Sequence, residues 1–216
     1  MQIKVNDTKG GRFYLIDDKE YVSVTTPLSI ISMPYLEIWK ARKGAKVAEA
    51  ISKKAAAHGT TIHGYIEDIC KGKLPDIHPK HKVQMEVFQD WFNRRVKKII
   101  ASEKVVWNTK YGVAGKLDFI GEIEGYDGYT LLDWKTGRVD KKHFLQMAAY
   151  IHCVPSAIKK IKLTDIKHRL VISVRDDKVL EIPVDKKDPT VDSTIDYDWN
   201  VFLSLLTVYN WVKERK

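Results

Sequence analysis

Near residue 102 the chain changes its period, and this change limits the folds open to it more than any other feature. Before it, apolar residues recur at helical spacing. Leu36, Trp39, Ala41, Val47, Ala50 and Ile51 stand among Lys, Arg and Glu from Pro34 to Ala57, and Val83, Val87, Phe88, Trp91, Phe92 and Val96 do so from about Lys80 to Ala101. Gly59 is expected to break the first stretch, with Thr60 or Thr61 capping a second helix through about Cys70, and Lys71 to Pro79 reads as a loop. After residue 102, Lys104–Asn108, Gly115–Ile123 and Tyr129–Lys135 read as strands, the last two joined by a hairpin turn at Glu124–Gly128. Another hairpin is expected at Phe13–Ile16 and Tyr21–Val24, and another at Arg169–Val174 and Lys178–Val184. Helices are expected from Asp140 to Cys153, ending before Pro155, and from Asp196 to Lys216. This order predicts an α/β fold, a central mixed sheet flanked by helices, as one domain over residues 1–216. Residues 1–101 form a hairpin and a helical cap or arch, and 102–216 the sheet core and closing helix.

Charge and cysteine content exclude several classes. The 216 residues carry 37 Lys+Arg against 28 Asp+Glu, a formal net charge of +9, which favours a polyanionic partner. Two cysteines, Cys70 and Cys153, exclude a disulfide-rich scaffold and a four-cysteine zinc or iron–sulfur site within one chain. No secretory or transit pattern and no uncharged apolar run of about 18 residues is present, so the expectation is a cytoplasmic protein with no membrane partner. Lys40, Arg42, Lys43, Lys46, Lys53 and Lys54 cluster on the first helical stretch. They are either a solvated face or, ahead of a carboxylate-rich site, a track for phosphates.

The chemistry begins at Leu131–Gly137. On a strand, Asp133 and Lys135 point to one face and Trp134 to the other, toward packing. If this strand pairs with Gly115–Phe119 across the turn at Tyr126 and Asp127, Asp118 comes near Asp133. Two carboxylates there repel unless a hard divalent cation, Mg²⁺ or Mn²⁺, lies between them. Such a cation binds a scissile phosphate and acidifies an attacking water, and Lys135 stabilises charge on the phosphate. Taken alone, an Asp-x-Lys triplet reads equally as a surface ion pair.

Gly115–Asp118, Asp133–Gly137 and Gln146–Tyr150, in this order, resemble the PD-(D/E)XK nuclease superfamily, and within it the RecB-like exonuclease branch. Val22–Thr26, Leu36–Trp39 and Gly59–His63 with Glu67 fit the same branch, and the likeness extends to the mitochondrial genome-maintenance exonuclease and its phage relatives. The resemblance covers about Tyr21 to Tyr150. It implies His63, Asp118 and Asp133 as metal ligands with the main-chain carbonyl of Trp134, Lys135 as the catalytic lysine, and Glu103 as an acidic residue entering the site before the first core strand. Gln146 and Tyr150 then face the metal centre and DNA, and Ser23 and Thr25 touch phosphate. Plainer readings stand beside these: His63 paired with Glu67 one turn on, Glu103 as a cap, Gln146 and Tyr150 as a buried pair, Ser23 and Thr25 as ordinary strand residues, and Trp39, Trp91, Trp107 and Tyr111 as core rather than stacking platforms. Lys116-Leu117 stands where the superfamily's Pro would precede Asp118.

The resemblance implies a Mg²⁺- or Mn²⁺-dependent DNA exonuclease without an iron–sulfur cluster. The expected enzyme takes single-stranded DNA by a free end threaded under the arch, with Lys43 and Lys46 among the DNA contacts, in a bacterial, archaeal or virus-infected cell; a monomer is favoured, and the sequence leaves the oligomeric state open. The alternatives are a duplex-specific exonuclease of the lambda type, a structure-specific or flap endonuclease, and a DNA-binding module with an inactive site.

Overall fold

The computed structural model describes residues 2–8, 10–185 and 194–214. Strands β1 (Ile3–Thr8), β2 (Gly11–Ile16) and β3 (Lys19–Ser23) form a meander, followed by the short helix α1 (Thr25–Leu28), α2 (Pro34–Lys43), α3 (Ala45–Cys70) and α4 (Lys82–Arg95). Then come β4 (Val96–Asn108), β5 (Val113–Ile123), β6 (Tyr129–Lys135), α5 (Lys141–Ala157), β7 (Ile166–Val174), β8 (Val179–Pro183) and α6 (Ile195–Glu214). The strands build one mixed sheet in the order β1-β2-β3-β5-β6-β7-β8, with β4 on the far edge of β5. The pairs β3–β5 and β6–β7 are parallel and the rest antiparallel. The expected central mixed sheet flanked by helices is therefore present.

Strand β5 carries the feature that matters most. One edge pairs with β4 along its whole length. The other edge is shared: Val113 and Ala114 pair with β3, and Phe119 to Gly121 with β6. The sheet forks at residues 115–118, and the C-terminal ends of β3 and β6 converge there. Crevices of this kind, outside strand C-termini, are where open α/β sheets place their ligands.

Alternation along the central strands sorts the core onto two faces. Leu131 and Val171 pack with Ile151, Val154 and Phe202 of α5 and α6, whereas Leu132, Trp134, Leu170 and Ile172 pack with Ile62, Ile66, Met85 and Phe88 of α3 and α4. Trp134 is fully buried against Phe88, Trp91 and Phe119. Trp91 likewise belongs to the core, its indole N–H donating to Glu181 at 2.8 Å. Tyr111 meets Trp199 edge-on.

Several expected boundaries move. Residues 96–101 are strand, not helix: Val96, Ile99 and Ile100 favour extended backbone, and β4 pairs with β5 from Val96 opposite Ile123, with bulges near Lys97 and Ile100. Gly59 does not break the helix. The break falls at Gly44, whose φ of +80° suits glycine, and α3 then runs unbroken through Gly59, Thr60 and Thr61. Thr61 bonds back to the Ala57 carbonyl instead of capping. Helix α5 continues past Pro155 because the proline falls in its last turn, closed by Ile158 N–H on the Val154 carbonyl. Strand β1 was not expected, and Thr25 opens α1 rather than extending a strand. The last two residues of the expected closing helix lie outside the described residues. No described helix is long and apolar enough to cross a membrane.

The N-terminal helices differ from the rest. Helix α2 buries no residue, and of residues 45–57 only Ala48 is buried. Helix α3 reaches the core only with its C-terminal half, through Ile62 and Ile66.

Candidate metal centre

The fork brings four elements to one point. Continuing the β5–β6 register one step beyond Phe119–Leu132 sets Asp118 opposite Asp133. The ladder ends there because the Trp134 N–H donates to Asp118 Oδ2 at 2.8 Å instead of to a carbonyl. On the other edge, Ser102 pairs with Phe119 and Lys104 with Leu117, which sets Glu103 across from Asp118. Glu103 has φ +50°, a conformation costing of order 1 kcal/mol for a residue with a side chain. It lies within β4, not ahead of the first core strand as expected, because the helix before it is shorter. Helix α3 supplies His63.

His63, Glu103 and Asp118 each offer one ligand atom, and these lie within 4.8 Å of one another. His63 Nδ1 is 3.8 Å from Glu103 Oε1 and 3.8 Å from Asp118 Oδ1. Its other nitrogen, Nε2, is 3.1 Å from the Trp134 carbonyl. A histidine that donates from one nitrogen to a backbone carbonyl is oriented to use the other as a ligand. The Trp134 carbonyl, implied as a ligand by the resemblance, thus accepts from His63 here. The side chain of Glu103 is only 5% exposed, and Oε1 has no hydrogen-bond partner while Oε2 pairs with Lys116.

Asp133 is not among the clustered ligand atoms. Its Oδ2 lies 2.6 Å from Lys135 Nζ, and its Oδ1 is 3.5 Å from Gln146 Nε2. Gln146 also donates to the Tyr150 hydroxyl at 3.1 Å, so the two residues one turn apart on α5 form one unit. Tyr150 lies over Gly115: a Cβ there would fall 2.4 Å from its ring, which ties two distant motifs together. Ser23 is buried at the end of β3 beside the fork, its hydroxyl 3.0 Å from that of exposed Thr25. Lys43 and Lys46 do not reach this point; from residue 46 to residue 63 α3 advances roughly 25 Å at 1.5 Å per residue.

The electrostatics follow from the geometry. Burial, and then the facing Asp133 carboxylate, push the Asp118 pKa well above the usual carboxylate range. Burial works against a charged His63, but the Glu103 and Asp118 carboxylates outweigh it and its pKa rises. Burial would raise Glu103, yet His63 and Lys116 hold it below the ordinary value. Burial also opposes the Lys135 ammonium, and Asp133 and Asp118 more than offset it.

Sequence reasoning passed over Lys116, whose bond to Glu103 crosses from β5 to β4 and leaves no local signal. It also passed over His143, which with Asp140 forms a capping box at the start of α5; that spacing was visible.

No protein-family model matches the sequence, and no curated protein matches it. Among solved structures the chain is similar to SSO0001, at 16% identity over 82% of this chain and 73% of that one, with a TM-score of 0.34. It is also similar to an alkaline exonuclease, LHK-Exo, from Laribacter hongkongensis, at 13% identity over 90% of this chain and 92% of that one, TM-score 0.37. With LHK-Exo in complex with dAMP the values are 16%, 69% and 82%, TM-score 0.32. Similarities this weak leave the functional reading to the side chains of the site.

Proposed function

We propose that this chain is a DNA exonuclease dependent on Mg²⁺ or Mn²⁺, acting on single-stranded DNA with a free end. One arrangement carries the reading: Glu103 and Asp118 converge with His63 at a sheet fork, Asp133 faces Asp118, and Lys135 lies against Asp133. A buried carboxylate oxygen without a donor, and a carboxylate whose proton affinity is raised by its neighbour, are the marks of oxygens placed for a hard cation. His63, Glu103 and Asp118 would hold the ion, with Asp133 on its edge. When bound, the ion supplies charge neutralisation at a phosphodiester and a more acidic attacking water.

The rest is done by the chain itself. Lys135 is held on the same face as Asp133, where its ammonium meets negative charge growing on the phosphate. Gln146, fixed by Tyr150, orients Asp133 from the α5 side. Ser23 and Thr25 offer hydroxyls at the neighbouring strand end. The exposed basic arm of α2 and the first half of α3 attracts the phosphate backbone and, as an arch, favours strands with an end to thread.

The test is digestion by pure protein in Mg²⁺ of linear single-stranded, linear duplex and closed circular single-stranded DNA, with separate labels at each end and an EDTA arm. Linear single strands should shorten from an end, circles should survive, and EDTA should stop all cutting. Undiminished cleavage in EDTA, or no cleavage of any substrate in Mg²⁺, overturns the reading. Rapid cutting of circles points to an endonuclease, and preference for duplex ends to the lambda-type alternative.

A further inference from the structure

A sizeable cavity lies apart from the clustered carboxylates. It has a volume of about 670 Å³ and lies between the α1–α2 connection, the start of α5 and the start of α6. That volume is within the range of small-molecule sites, roughly 300–1,000 Å³. Ile31, Phe144, Leu145 and Val201 give it apolar walls, and Tyr197 adds an exposed ring from the first turn of α6.

Its rim is basic. Arg138, Lys141 and Lys142 line it. The two acidic residues of the lining are engaged internally: Asp140 accepts from Lys142 N–H at 2.8 Å, and Asp198 from Arg169 at 2.7 Å. A ligand with a flat, largely apolar body and an anionic handle matches this lining. Position narrows the choice further. The Thr136–Asp140 connection runs from Lys135 straight into the cavity wall, and Arg138 lies over the Tyr35 ring of α2, 4.3 Å from its centre. A few residues of chain therefore link the cavity wall to Lys135, and the Arg138–Tyr35 contact links it to the root of the basic arm.

We propose that this cavity seats a nucleobase of the bound strand, with its flanking phosphates held by Arg138, Lys141 and Lys142, a few nucleotides from the reacting one. This rests on the nuclease reading above. A stacked base needs only an aromatic or apolar wall, so the site is indifferent to sequence. It gives the strand a grip separate from the arm, and one that only strands above a minimum length can use.

The experiment uses the full chain in Ca²⁺, which is expected to permit binding with little turnover. 2-Aminopurine is moved one position at a time through a single strand labelled at neither end. One position should change its fluorescence on binding. Tyr197→Ala should abolish that change and weaken binding of long strands roughly five- to a hundred-fold, while strands too short to reach the cavity bind as before. Tyr197→Phe should restore both. Tyr197 is exposed, so melting temperature should not move. If the wild type cuts DNA but no position responds, or Tyr197→Ala binds every length like the parent, the subsite is wrong and the nuclease reading stands. If the wild type neither binds nor cuts DNA, both fall together.

Discussion

Buried Arg169 on β7 and half-buried Lys135 on β6 are cations on neighbouring strands, each beside carboxylates, yet their surroundings are built on opposite plans. The Arg169 guanidinium donates to Asp185 at 2.9 and 2.5 Å, to Asp198 at 2.7 Å and to the Phe144 carbonyl at 2.9 Å; its own N–H adds a further bond to Asp185. One cation is shared by two carboxylates, and the cluster joins β7 to α5 and α6. Around Lys135, by contrast, Asp118 and Asp133 face each other, a Glu103 oxygen has no donor, and Glu103 sits on strained backbone. A structural ion cluster saturates its polar groups. A site leaves some of them unsatisfied and aimed at one point, and it holds like charges closer than the fold alone would favour.

The largest effect expected from this contrast is chemical. Asp118→Asn and Asp133→Asn should each lower the rate of DNA cleavage by at least about a hundred- to a thousand-fold while the fold persists. Lys135→Ala should lower kcat comparably with little change of DNA affinity in Ca²⁺. A fall of affinity in step with rate would make Lys135 a backbone clamp instead.

Next is the structural cluster. Arg169→Met leaves Asp185 and Asp198 without their shared cation and should cost about 3–5 kcal/mol of stability. At roughly 2–4 °C per kcal/mol for a chain of this size, the midpoint of thermal unfolding should drop by about 6–20 °C. A variant with unchanged melting but lost activity would break the distinction between the two clusters.

Smaller, and opposite in sign, is the effect of Asp118→Asn on stability. In the fold this carboxyl keeps its proton to higher pH than in the unfolded chain. The native state therefore binds more protons, and stability falls as pH rises from the ordinary carboxylate range through the raised value. In EDTA at neutral pH, Asp118→Asn should melt a few degrees above the parent, an advantage that vanishes near pH 4. Mn²⁺ should raise the melting point of the parent and not of the variant. Equal melting of the two at neutral pH in EDTA would remove the strain assigned to the site.

How much of this contrast could be read from the sequence depends on the range of each interaction. Strand period alone put Asp133 and Lys135 on one face and Trp134 in the core, and a short turn sufficed to set Asp118 opposite Asp133. The Arg169 cluster was invisible, since its partners come from three separate elements. Glu103 was legible only through family likeness, because no local pattern announces a left-handed residue inside a strand. Residues 96–101 were misread because Lys97 and Lys98 beside Ile99 and Ile100 mimic a helical face, and only pairing with β5 decides the matter.

The basic arm provides a third arrangement of charge, and the smallest effect. On it Lys40 pairs with Glu37 and Lys53 with Glu49, which are exposed pairs of little energetic weight. Lys43 and Lys46 have no carboxylate within ion-pair distance among the described residues. They flank the Gly44 break, on helices that bury almost nothing there, so nothing in the fold requires their charge. Lys43→Gln and Lys46→Gln should therefore leave melting temperature and Mn²⁺ affinity unchanged. If the arm tracks phosphates, the slope of log affinity for single-stranded DNA against log salt should flatten by roughly 0.7 for each phosphate no longer neutralised. The two substitutions together should then flatten it by about twice that where each lysine neutralises a phosphate of its own. An unchanged slope would make these two lysines a solvated helix face and remove them from the phosphate track.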